Sequence, residues 1–99
     1  MSHTFEELVA RKLAADEAHN RVEQLRQDYG PPAQTRWTGA QGETYETALR
    51  AWRDLARDLQ AAVNEYASDE GRPRTDVEAE VDRAARAARE SDDSPPQAP

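Results

Sequence analysis

Between residues 45 and 66 the chain carries Tyr45, Leu49, Trp52, Ala56, Leu59, Val63 and Tyr66, spaced alternately four and three apart. An apolar period of 3.5 residues excludes a strand, whose side chains alternate every two. It predicts a long helix that packs beside another at a shallow crossing angle. Ala48, Leu55 and Ala62 widen the stripe on one side, and Arg50, Arg53, Asp54, Arg57 and Asp58 fill the opposite face. Thr38 and Gln41 supply a capping box at its start. The stripe predicts that truncating Trp52 or Leu59 to alanine costs about 2–5 kcal/mol.

A second amphipathic segment precedes it. Leu8, Ala15, Val22 and Tyr29 recur every seven residues, with Phe5, Ala18 and Leu25 beside them, which predicts a helix over about residues 4–29. Thr4 and Glu7 can cap it, Gly30 can take a left-handed C-cap, and Pro31-Pro32 prevent its continuation. Val9 and Leu13 fall on a flank, which is either tolerated surface or a second contact face. The loop 30–38 then leads into the helix of about 39–68. Asp69-Glu70-Gly71-Arg72-Pro73 ends that helix with turn residues. In the segment 71–90, Thr75 with Glu78 can cap a short charged helix from about Asp76 to Arg89, with little to bury beyond Val77, Val81 and alanines. Residues 91–99, rich in Pro, Ser and Asp, read as a disordered tail.

The expected fold is therefore all-α: an antiparallel two-helix hairpin over 4–70, a third helix over 71–90 and the tail. Its bundle seam comprises Leu8, Val22, Leu25, Tyr45, Leu49, Trp52, Leu55, Leu59 and Val63. A lone hairpin covers one side of that seam, so a second hairpin completing a four-helix bundle is the expected cover.

Charge and composition narrow the function. Thirteen basic against twenty acidic residues give a net charge of −7, the wrong sign for a phosphate backbone. No cysteine is present, so disulfides and thiolate metal sites are excluded. No apolar run reaches the ~20 residues of a membrane span, and no signal peptide opens the sequence. His19 sits one turn from Asp16 and Glu23, half of a carboxylate–histidine metal pattern. The second helix has neither a His nor an acid on its apolar stripe to complete it. The serines lack a neighbouring base, and Gly39-Ala40-Gln41-Gly42 lacks the Lys of a phosphate loop. No catalytic residue, cofactor or metal is expected, and the chain reads as a non-enzyme.

The remaining motif is Trp37-Thr38-Gly39 in the loop between the two helices, followed by Tyr45, Trp52, Leu59, Val63 and Tyr66. A glycine two residues from the indole permits close backbone approach, and the indole can cap the open end of a bundle. Over Phe5 to Glu70 the chain resembles the WXG-motif family, the small helical-hairpin proteins (early-secreted-antigen-like) exported by type VII secretion systems. That resemblance implies a hairpin paired with itself or with a homologous hairpin protein. It further implies recognition by a membrane-bound secretion ATPase and release by a non-classical route, from the cytoplasm, without a cleaved signal. The family's Tyr-x-x-x-acid export motif matches Tyr66 to Glu70, earlier relative to Trp37 than the family places it. An alternative reading is a small acidic cytosolic helical adaptor or inhibitor, of the kind mobile elements encode. The net charge, the break at Gly71-Arg72-Pro73 and the separate third helix motivate it.

Overall fold

The structure is a computed structural model that describes residues 3–31 and 35–93. Among these residues it is all-helical, with α1 at Phe5–Tyr29, α2 at Gly39–Glu70 and α3 at Arg74–Asp93, and no strand. The helix ends follow from local chemistry. The Thr4 hydroxyl accepts the Glu7 N–H at 3.1 Å, while the Glu7 carboxylate pairs with His3 Nδ1 at 3.3 Å instead of closing a capping box. At α2 the box is complete. Gln41 N–H donates to the Thr38 hydroxyl at 3.1 Å, and Thr38 N–H donates to Gln41 Oε1 at 2.9 Å.

Both helix exits use glycine, in different ways. Gly30 has φ 84° and ψ 167°, an extended mirror-image conformation rather than the expected left-handed helical one. A Cβ there would lie 2.7 Å from Thr35 Oγ1, so only glycine fits this turn. Gly71, at φ 62° and ψ 37°, is the true left-handed cap. Arg72 N–H donates to the Ala67 carbonyl at 2.9 Å and Gly71 N–H to the Ser68 carbonyl at 3.2 Å, the paired bonds of a Schellman motif.

The expected Thr75/Glu78 cap does not form. Thr75 already lies inside α3, and the Pro73 carbonyl accepts from Asp76 N–H at 3.1 Å and Val77 N–H at 3.3 Å. Glu78 instead receives Arg74 Nε at 2.8 Å. The helix also runs to Asp93, beyond the boundary expected at residue 90. Residues 91–93 of the expected tail are thus helical, and the rest of it, 94–99, lies outside the described residues.

Helices α1 and α2 run antiparallel. Phe5 meets Tyr66 with ring centroids 6.3 Å apart, His19 meets Trp52 at 4.7 Å, and Trp37 meets both Tyr29 and Tyr45 at the connection. The third helix departs most from expectation. Its Val77 and Ala85 are fully buried and its Val81 nearly so. Val77 and Val81 form one cluster with Leu8, Ala62, Val63 and Ala67, against which Phe5, Leu59 and Tyr66 pack. The rim of the contact is ionic: Lys12 pairs with Asp82 at 3.6 Å and with Asp16 at 3.1 Å, and Arg89 pairs with Asp16. These pairs make α3 parallel to α1 and place it over the end of the α1/α2 pair remote from their connection. Val9 and Leu13, both half-buried, share the flank of α1 that carries Lys12 and Asp16. The flank that the sequence leaves for a second contact is the one to which this chain's own α3 docks.

Candidate interaction surface

Trp37 is held by its own turn. Its indole Nε1 donates to the Gly30 carbonyl at 2.9 Å, and the ring stands edge-on between Tyr29 at 5.5 Å and Tyr45 at 5.0 Å. The carbonyl it satisfies belongs to the residue just past α1, so the bond locks the exit of one helix to the entry of the next. Sequence reasoning missed this partner because a backbone acceptor seven residues upstream leaves no side-chain pattern.

Gly39 has a different role from the one expected. It is the first residue of α2, and a Cβ added to it meets nothing within 4 Å. The close backbone approach is made at Gly30 instead. Gly39→Ala is therefore expected to change stability by no more than about 0.5 kcal/mol, whereas Gly30→Ala costs about 1–3 kcal/mol through its positive φ and the Thr35 clash. Chemical denaturation of the two variants side by side checks this, and equal losses would refute it.

Tyr66 and Glu70 lie at the far end of α2, about 44 and 50 Å from Trp37 along the helix at 1.5 Å per residue. The Tyr66 ring is half-buried against Phe5, and Glu70 is exposed on the last residue before the Gly71 cap. The seam residues differ in burial. Leu8, Val22, Leu25 and Val63 are buried within this chain, Tyr45, Leu49, Trp52 and Leu59 are half-buried, and Leu55 is 36% exposed. α3 ends about one turn beyond the Arg89–Asp16 pair, near the middle of α1, and the half of α2 nearest Trp37 contributes no buried residue.

An open groove of about 500 Å³ lies along this half, lined by Arg21 and Leu25 of α1 and by Glu43, Thr44, Thr47, Ala48 and Ala51 of α2. At 3.6 residues per turn, Arg21 and Leu25 stand roughly 180° around α1 from Lys12 and Asp16. On α2, Thr44, Ala48 and Ala51 stand similarly opposite Gln60, which receives Arg74 of α3. The groove and α3 thus occupy opposite sides of the α1/α2 pair. Val9 and Leu13 mark the α3 flank in the sequence, but the open groove on the opposite side appears only once α3 has docked.

The residues weighed for metal chemistry are engaged separately. Asp16 takes Lys12 and Arg89, while His19 lies tilted against Trp52 and approaches Glu23 at 3.7 Å. Among the described residues no three His, Cys, Asp or Glu side chains converge on one point, and no helix is long and apolar enough to cross a membrane. No family model matches the chain, and no curated protein or solved structure matches it either.

Proposed function

We propose that this chain is a non-enzymatic helical-hairpin protein that acts by pairing with another polypeptide, in the manner of the WXG-motif substrates and partners of type VII secretion. The observation that carries this reading is the unfinished seam. Trp37 closes the turn, α3 covers the remote end, and Tyr45, Leu49 and Trp52 between them stay half-buried with Leu55 exposed. A contiguous apolar stripe left half-covered on a folded chain marks a protein-binding surface, and helices at a shallow angle are its natural occupants. Completion of a four-helix bundle by a like hairpin follows on this reading, as do export from the cytoplasm and recognition by a secretion ATPase. Glu70, exposed at the end of α2, presents the acid of the export motif, and Tyr66 anchors it against Phe5.

Secretion from a host with a type VII system tests the reading. Trp37→Arg and Gly39→Asp are expected to abolish pairing and export together, and Glu70→Ala to reduce export alone. Undiminished pairing and export in the Trp37→Arg, Gly39→Asp double variant would sink it. The packing of Val77, Val81 and Ala85 favours a second reading, a self-contained acidic cytosolic adaptor or inhibitor. Tight capture of a cytosolic target by a chain that is never exported would put that reading first.

A further inference from the structure

We infer that residues 94–99, Ser-Pro-Pro-Gln-Ala-Pro in the sequence, dock as a polyproline segment on the α3 side of the α1/α2 pair. The segment lies over Leu49 and Tyr45, in the half of the furrow that α3 leaves open. Docking there keeps the groove on the opposite side free, so partner pairing stands or falls separately.

Direction comes from α3. It runs parallel to α1 toward the connection and ends about one turn past the Arg89–Asp16 pair, near the level of the His19–Trp52 contact. Pro95 and Pro96 cannot continue a helix and favour an extended backbone before them. A chain that goes forward from Asp93 enters the rest of the same furrow. Reach fits as well. From that level to Tyr29, at the end of α1, is roughly 15 Å, and six polyproline residues span about 19 Å.

The furrow keeps its side along the pair. At about 100° per residue, Leu49 and Arg53 stand within roughly 20° of Gln60, which receives Arg74 of α3. On α1, Glu23 stands within roughly 20° of both Lys12 and Asp16, which pair with α3. Tyr45 and Trp52 turn about 60–80° from Gln60 toward α1 and form the floor. Tyr45, Leu49 and Trp52 are all half-buried, so this floor is apolar and incompletely covered. Polyproline segments dock on such aromatic-lined surfaces, because their fixed backbone has little freedom to lose. A cavity of about 330 Å³ opens beside Leu49, lined also by Glu46, Arg50, Arg53, Asp54 and Arg57. Its three arginines outnumber its two acids, and the sequence places Asp92 and Asp93 just before the segment, a charge match for the entry.

The test compares nuclear magnetic resonance spectra of the full chain, a chain ending at Asp93, and the double variant Pro95→Gly, Pro96→Gly, whose changes lie outside the helices. The Leu49 methyl and Tyr45 ring signals are expected to move in both variants, while the Ala51 methyl in the opposite groove stays in place. Free X–Pro bonds hold about 5–30% cis isomer, whereas a docked segment keeps one. Ala98, before Pro99, should therefore give a single signal in the full chain and gain a minor one in a Leu49→Lys variant. The Leu49 and Tyr45 positions should be the same at about 20 and about 500 μM, since an attached segment already has a near-millimolar effective concentration. Leu49 and Tyr45 signals indifferent to removal of the segment, or a minor Ala98 signal already present in the full chain, overturn the docking. Positions that change with concentration overturn its placement on the same chain and assign the segment to a second copy.

Discussion

Leu8→Ala is expected to destabilise the chain by about 2–5 kcal/mol, the range for emptying a closed apolar site. Leu8 is fully buried, and its cluster draws Ala62, Val63 and Ala67 from α2 and Val77 and Val81 from α3. Three separate helices converge there, so the site cannot collapse onto a smaller side chain without moving one of them. Domains of this size have about 5–15 kcal/mol in all, and 1 kcal/mol is worth about 4–8 °C in Tm. A circular dichroism melt should therefore fall by about 10 °C or more. Leu55→Ala, at the exposed position, is the control and should stay within about 0.5 kcal/mol of the parent. A Leu8→Ala melt within about 3 °C of the parent would show that the three helices do not share this core. Trp52 and Leu59, ranked first by the stripe, are only half-buried, so their truncation should cost less than that of Leu8.

Val77→Asp should detach α3 while leaving α1 and α2 paired. A carboxylate in a fully buried valine site lacks a partner and carries a penalty of about 3–5 kcal/mol. Burial of Val77 and Val81 is worth about 1.5–3 kcal/mol each before the entropy of ordering the helix. The rim pairs of Lys12 and Arg89 are partly exposed and add little. The penalty thus matches the whole attachment, and release of α3 costs no more than retaining it with a buried charge. Hydrogen exchange should show residues 74–93 losing protection while residues 15–29 and 45–60 keep theirs. Conserved protection across α3, or a uniform loss along the chain, would contradict this picture. Val77→Ala serves as the milder variant and should shift the same exchange partway.

The elements were legible because their determinants are local. Thr38 and Gln41 cap α2 as their spacing foretold, Thr4 caps α1, and the 3.5-residue stripe from Tyr45 to Tyr66 made a helix unavoidable. The misreadings have a shared cause. The close approach expected at Gly39 belongs to Gly30, because a glycine's steric surroundings depend on where Thr35 returns in space. Thr75 and Glu78 have the spacing of a cap, but Pro73, locked near the φ of a helix start, offers its carbonyl two residues earlier. The largest underestimate was α3. Val77, Val81 and Ala85 at four-residue spacing were visible, but three small apolar residues on a charged helix are worth little until a matching concavity exists. That concavity is built by Leu8, Val63 and Ala67 from the other two helices.

The sequence by itself determined three helices, their approximate limits and the faces that α1 and α2 turn toward each other. Periodicity, capping and helix-breaking residues act within a few positions of one another and need no fold to take effect. Only the tertiary structure decided that α3 lies parallel to α1 over the flank of Lys12 and Asp16. It also decided that Trp37 bonds to the Gly30 carbonyl, and that the groove from Arg21 to Ala51 stays open on the opposite side. Those outcomes depend on which apolar surface remains uncovered after α1 and α2 have packed, a property of the assembled surfaces that no single segment of the chain contains.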